Sequence, residues 1–133
     1  MASIRREITV EAPVAQVWSA VRDFGAPHKR LAPGFLTDTR LEGDARVVTF
    51  ANGLVARERL VDLDDDARRL VWAVVGSARL SHHNASLQVF AESTRHSRLV
   101  WIADLLPDDV AGDIAALIDA GMAAMKTTLE RAG

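Results

Sequence analysis

The chain opens on an alternation. Ile4, Ile8 and Val10 are apolar, and Arg5, Glu7 and Thr9 between them are polar. That period of two predicts a strand with one buried face. The period then lengthens. Ala12-Pro13 is placed to start a helix, because a proline in the first turn lacks only an N–H that would have no partner there. Val14, Val17, Trp18, Val21 and Phe24 follow at helical spacing, and Gly25 and Pro27 end the run. A further short turn is expected over His28–Leu31. Strands are predicted next at Phe35–Leu41, Arg46–Ala51, Leu54–Leu63, Arg69–Val75, His83–Ala91 and Arg98–Leu105. The breaks between them are turn signals: Gly43-Asp44, Asn52-Gly53, Asp64-Asp65-Asp66, Gly76-Ser77 and Glu92–His96. Beyond Pro107, the residues Val110, Ile114, Leu117, Ile118, Met122, Met125 and Leu129 fall on one face of a helix of roughly six turns.

The order is strand, one or two short helices, six strands, long helix. Short turns between successive strands argue for an antiparallel meander, hence an α+β fold with a curved seven-stranded sheet. The long C-terminal helix is the only element of a length to cover the concave face. A bent sheet and a straight helix cannot touch everywhere, so a pocket is expected between them.

Composition narrows the chemistry more than the fold. The 133 residues fit a single domain spanning 1–133, with ordinary proportions of apolar (49%) and charged (26%) residues. Sixteen basic against eighteen acidic residues give a net charge of -2, which removes the usual electrostatic reason to bind nucleic acid or anionic lipid. There is no cysteine, so disulfides, zinc–thiolate sites and thiol nucleophiles are excluded. No metal and no cofactor is expected. The opening MASIRREITV lacks the apolar core of a secretory signal, and no apolar run reaches membrane-span length. A cytoplasmic monomer or homodimer is the expectation.

Several residues together resemble a known pattern. Gly53-Leu54, Glu58-Arg59-Leu60, Leu63-Asp64-Asp65-Asp66, Arg69, Gly76, Arg79-Leu80 and Ser86 resemble a run found in the START-like superfamily, in the polyketide cyclase/dehydrase-like branch and in the plant abscisic-acid receptors. Ala12-Pro13 with Val17-Trp18, and Trp101 ahead of a proline-started terminal helix, fit the same group. The resemblance implies the helix-grip fold. It also implies two loops at the pocket mouth, here Ala51–Leu54 and Gly76–His82. Within those loops the chain reads Gly53-Leu54-Val55 where the receptors have a proline, and Ala78 where they have a histidine.

Strand alternation then nominates pocket residues. Leu54, Ala56, Glu58 and Leu60 share one face, and the inward choice for this set keeps Arg57 and Arg59 in water. A strict two-residue turn at Asn52-Gly53 would pair Val47 with Glu58. A three-residue loop with Gly53 left-handed would pair Arg46 with Glu58, and is preferred because it sets Val48 and Phe50 on the same face as Leu60. Arg46 would then neutralise Glu58 and orient a polar group of a ligand. The bland alternative is an ion pair that only supports the sheet. His83, alternating with Ala85, Leu87 and Val89, faces in, where an imidazole can serve as acid or base near neutral pH or simply hydrogen-bond the backbone. His82 points the other way. Trp72 and Trp101 offer flat walls to a planar ligand, or simply fill the core; Trp18 is read as core. The long helix supplies Leu117, Gly121 and Met125, with Met122 beside them, and the second loop supplies Arg79 and Leu80. His28 is placed near the mouth. Asp104 faces out unless a bulge turns it. The acidic run Asp62–Asp66 reads as a solvated turn.

The implied role is binding of a small apolar or aromatic molecule, polyketide-, lipid- or isoprenoid-like. The alternatives are a cofactor-free cyclase, dehydratase or isomerase using Glu58 and His83 as acid–base groups with Arg46 stabilising an enolate, and a partner-binding protein whose pocket is vestigial.

Overall fold

A computed structural model describes residues 1–132. Strand β1 (Ala2–Val10) leads into helix α1 (Val14–Arg22) and the single turn α2 (Pro27–Arg30). Six strands follow: β2 (Leu36–Glu42), β3 (Ala45–Phe50), β4 (Val55–Asp64), β5 (Arg69–Val75), β6 (His82–Ser93) and β7 (His96–Leu106). A 3₁₀ turn at Asp108–Val110 then starts the long helix α3 (Ala111–Ala132). The sheet has seven strands in the order β1-β7-β6-β5-β4-β3-β2, each antiparallel to its neighbours. This is the α+β arrangement expected from the hydrophobic pattern, and the helix-grip fold that the resemblance implied. Helix α1 is shorter than its spacing suggested: it stops at Arg22, so Phe24 lies in the link to α2.

The inner face of the sheet carries the core. Val10, Leu70, Leu87, Val89, Leu99 and Leu105 are buried there, and α3 contributes Ile118, Met122, Met125 and Leu129. Trp18 belongs to the same cluster, but it is not purely apolar in its role. Its indole N–H donates to Asp65 Oδ1 at 2.9 Å, and Arg22 Nε reaches the same oxygen at 2.8 Å. The acidic turn between β4 and β5 is therefore not simply solvated, because one of its carboxylates ties the hairpin to α1. Arg22 holds the Asp65 carboxyl below its ordinary range, with the Trp18 N–H adding to the effect.

Two irregularities shape the concave face. The β4–β5 register shifts between Leu60 and Asp62, which leaves Val61 as the extra residue, exposed on the outside. At the β3–β4 hairpin Gly53 takes φ of +89° and its N–H donates to Phe50 O at 2.9 Å. Phe50 and Leu54 close the loop, so Ala51, Asn52 and Gly53 form it, and the register pairs Arg46 with Glu58. The left-handed glycine thus sets which side chains meet four residues beyond the closing pair on each strand. No helix among the described residues is long and apolar enough to cross a membrane.

Candidate functional site

Helix α3 lies closest to β1, at one edge of the sheet. Toward β3, β4 and β5 the sheet curls away from it, and a cavity of about 530 Å³ remains. That lies within the range of about 300–1,000 Å³ typical of small-molecule sites. Val48, Trp72, Leu87 and Trp101 form the sheet wall, and Ile114, Leu117, Ile118 and Met125 the helix wall. Leu31 and Phe35, from the segment joining α2 to β2, close one side. The rings of Trp72 and Trp101 meet edge to face, 5.7 Å between centroids. Most of the surface offered to an occupant is therefore apolar.

Across this wall runs one polar row. Arg46 pairs with Glu58 between β3 and β4, and Glu58 pairs with Val74 between β4 and β5. The β5–β6 ladder ends at Trp72 and Ala85, and the next step is made by a side chain: the Val74 N–H donates to His83 Nδ1 at 3.0 Å. Arg46, Glu58, Val74 and His83 thus lie on one line across four strands.

Each member of the row is held in place. Arg46 Nε donates to Glu58 Oε1 at 2.8 Å, and both side chains are at least nine-tenths buried. The other arm of the guanidinium donates through Nη1 to the Phe24 carbonyl at 3.3 Å. Its plane sits 4.4 Å from the centre of the Phe24 ring and 5.6 Å from that of Trp72. Aromatic faces attract a cation, so Arg46 is restrained by the salt bridge, the carbonyl and two rings together.

Of the two roles weighed for His83 from the sequence, the structure shows the hydrogen bond to the backbone. Burial, with the neighbouring charge of His82 as a second cause, pushes its pKa down from 6.5 to about 4. The ring is therefore neutral at pH 7. Because Nδ1 accepts the Val74 N–H, the single ring proton is on Nε2. An imidazole that titrates near neutrality is replaced by a fixed, neutral hydrogen-bond donor.

The remaining nominated residues fall into three groups. Val48, Phe50, Trp72, Trp101, Leu117 and Met125 border the cavity as expected, whereas Met122 is packed in the core. Leu54, Arg79 and Leu80 stand at the mouth rather than on the inner wall: Leu54 is 49% exposed, and Arg79 Nη2 reaches out to Asp113 Oδ2 at 2.7 Å. Gly121, His28 and Asp104 do not border the cavity. Asp104 pairs with Asn84 on the outer face, so no bulge turns it inward. His82 is exposed, as its alternation with His83 required.

Gly121 has a packing reason. A Cβ there would lie 3.1 Å from the Phe35 ring and 3.2 Å from Trp101. Helix α3 is thus seated on two aromatic edges that frame the cavity. Gly121→Leu is expected to displace those rings and lower stability by about 1–3 kcal/mol, read from urea denaturation midpoints.

Phe24 and Leu31 were not nominated as site residues from the sequence. Phe24 and Arg46 are twenty-two positions apart, and nothing in a helical apolar stripe distinguishes a ring that packs on a guanidinium from one that packs on leucine.

A family model described as "Polyketide cyclase / dehydrase and lipid transport" matches residues 1–130. A solution NMR structure of a Thermobifida fusca protein is 32% identical, with 98% of this chain and 91% of that one covered at a TM-score of 0.79. A START superfamily protein from Mycobacterium smegmatis superposes at a TM-score of 0.79 with 8% identity, covering 98% and 99% of the two chains. The di-domain ARO/CYC BexL of the BE-7585A biosynthetic pathway gives a TM-score of 0.77 at 18% identity, over 98% of this chain and 47% of that one. The last two likenesses are likenesses of fold.

Proposed function

The chain belongs to the polyketide cyclase / dehydrase and lipid transport family, and from that premise we propose that its cavity takes up a small apolar or aromatic molecule, polyketide-, lipid- or isoprenoid-like. The observation that carries this reading is a space of about 530 Å³ with apolar walls and one anchored polar row. Apolar area removed from water supplies the driving force, at about 25 cal/mol per Å², and the row orients what enters. The test is a titration with 2-acetylnaphthalene followed by quenching of the tryptophan fluorescence, since Trp72 and Trp101 border the space. Saturable quenching is expected, weakened at least tenfold by Ala56→Trp, which fills the cavity from β4. Absence of quenching in the parent protein contradicts the proposal.

A second reading, cofactor-free cyclisation or isomerisation, has one feature in its favour. Glu58 uses only Oε1 toward Arg46, and among the described residues Oε2 has no hydrogen-bond partner. In this reading Glu58 removes a proton from the carbon beside a ligand carbonyl. The C–H electron pair becomes the enolate C=C, and the carbonyl π pair moves onto oxygen beside Arg46, where the guanidinium stabilises the developing charge. For a ligand with a β,γ double bond the pair on oxygen then re-forms the C=O, the enolate C=C moves to the α,β position, and the old β,γ π pair takes the proton back from Glu58 at the γ-carbon, which completes the isomerisation. His83 has no part as a base in this scheme, since its free nitrogen already carries a proton.

A further inference from the structure

Among the described residues, three polar atoms of the row have no hydrogen-bond partner: Arg46 Nη2, Glu58 Oε2 and His83 Nε2. None of them is among the sealed unpartnered side-chain atoms, which among the described residues are His28 Nδ1, Thr39 Oγ1 and Trp101 Nε1. Their residues all border the cavity, so the cavity is where these atoms find partners.

They form two stations, not one. Arg46 and Glu58 are directly bonded, and together present one donor and one acceptor. His83 presents a donor only, because its other nitrogen is used by Val74. Strand β5 separates the stations, with the apolar Val74 side chain between them. Two strand spacings place the Glu58 and His83 backbones roughly 10 Å apart. No single functional group reaches both.

The charge balance is equally specific. Arg46 and Glu58 cancel, and among the described residues no other charged side chain lies on the inner wall. Arg57 and Arg79, at the rim, are engaged by Glu42 and Asp113. A ligand bearing a full charge would be stripped of water against a site that is already neutral, which is unfavourable.

From these atoms we infer that the occupant is an uncharged, flat molecule with two oxygen functions at opposite ends. A hydroxyl meets Arg46 and Glu58, donating to Oε2 and accepting from Nη2. A carbonyl or ether oxygen accepts from His83 Nε2. Between them lies an apolar span about the width of two fused rings, resting on Val74 and Trp72. This inference rests on the reading of the cavity as a ligand site and adds the class of ligand.

The test uses one scaffold and varies its ends. The probes are 6-acetyl-2-naphthol, 2-naphthol, 2-acetylnaphthalene, 6-hydroxy-2-naphthoate and a 6-trimethylammonio-2-naphthol, titrated against the full chain at pH 7. The two-oxygen probe is expected to bind roughly tenfold more tightly than either one-oxygen probe, and the anion and cation more weakly than all three neutral ones. His83→Phe is expected to erase the advantage of 6-acetyl-2-naphthol over 2-naphthol while leaving 2-naphthol binding unchanged. If that variant does not fold, His83→Met, which also removes the donor and adds no charge, is to be read the same way. Equal affinities across the neutral probes, or tightest binding of a charged probe, overturn the two-station inference and leave the cavity reading standing. Failure of every probe to bind overturns both.

Discussion

Replacing Glu58 with alanine is expected to destabilise the fold by about 3 kcal/mol, even though the side chain lies on no structural boundary. The reason is the partner left behind. Arg46 is buried, and its Nε would lose the carboxylate at 2.8 Å. Removing one member of a buried pair leaves an uncompensated charge, typically at a cost of about 3–5 kcal/mol. The lower end applies here because Nη2 borders the cavity, where water can reach it, and the Phe24 carbonyl remains. The double variant Arg46→Met, Glu58→Leu is expected to lie within about 1 kcal/mol of the parent, since it removes both charges and fills the same volume. Urea denaturation of the two single variants and the double variant measures this. A loss below about 1 kcal/mol for Glu58→Ala would show that the pair is not buried. Ligand binding should respond in the opposite order: the stable double variant loses the hydroxyl station entirely.

The second large effect is a pH dependence with an unusual position. His83 has its pKa lowered from 6.5 to about 4 in the folded chain. Between those values the unfolded chain binds a proton that the folded chain does not. Stability therefore rises with pH across this window, and falls as the solution is acidified from pH 6.5 toward pH 4. The full difference corresponds to about 3 kcal/mol. It is absent above pH 6.5, where the imidazole is neutral in both states. The carboxylates Glu7, Glu42, Asp65 and Glu130, whose pKa values are lowered by arginine or lysine partners, lose their contributions only below pH 4.5. The part of the window from 6.5 to 4.5 is thus set by His83 among these groups. Thermal or urea unfolding at half-unit pH steps should show the decline in the parent chain and its loss in His83→Gln. A flat profile down to pH 4.5 would contradict the burial of this ring and the tautomer argued from it.

Legibility varied with the range of the interaction. The element order was readable because each element carries its own period, from Ile4-Ile8-Val10 to the Ile114–Leu129 stripe. The Arg46–Glu58 pairing was readable because one glycine in a short loop fixes the register of a whole hairpin, and Gly53 is such a glycine. Alternation likewise separated His83 from His82. What alternation cannot supply is the environment at the end of the side chain. The inward side of His83 was visible, but the capture of its Nδ1 by Val74 depends on where the β5–β6 ladder stops, and no local residue signals that point. Gly121 and Phe24 fail for a related reason. A glycine on an apolar helix face can open space for a ligand or let a neighbouring ring approach; the Phe35 and Trp101 edges, far away in sequence, decide for the second. Asp65 was read as solvated because its partners, Trp18 and Arg22, belong to a helix more than forty residues earlier.

These points meet in the hollow between the bent sheet and α3, which the account treats as accessible, apolar and neutral. Methyl-resolved NMR of the chain, with 6-acetyl-2-naphthol added in steps, tests this most directly. Saturable shifts of the Met125, Leu117, Ile118, Val48 and Val74 methyls are expected, with Val61 and Val100 on the outer face unmoved. Methyl signals of the inner set that stay in place at millimolar probe, or shifts confined to the outer face, would contradict it.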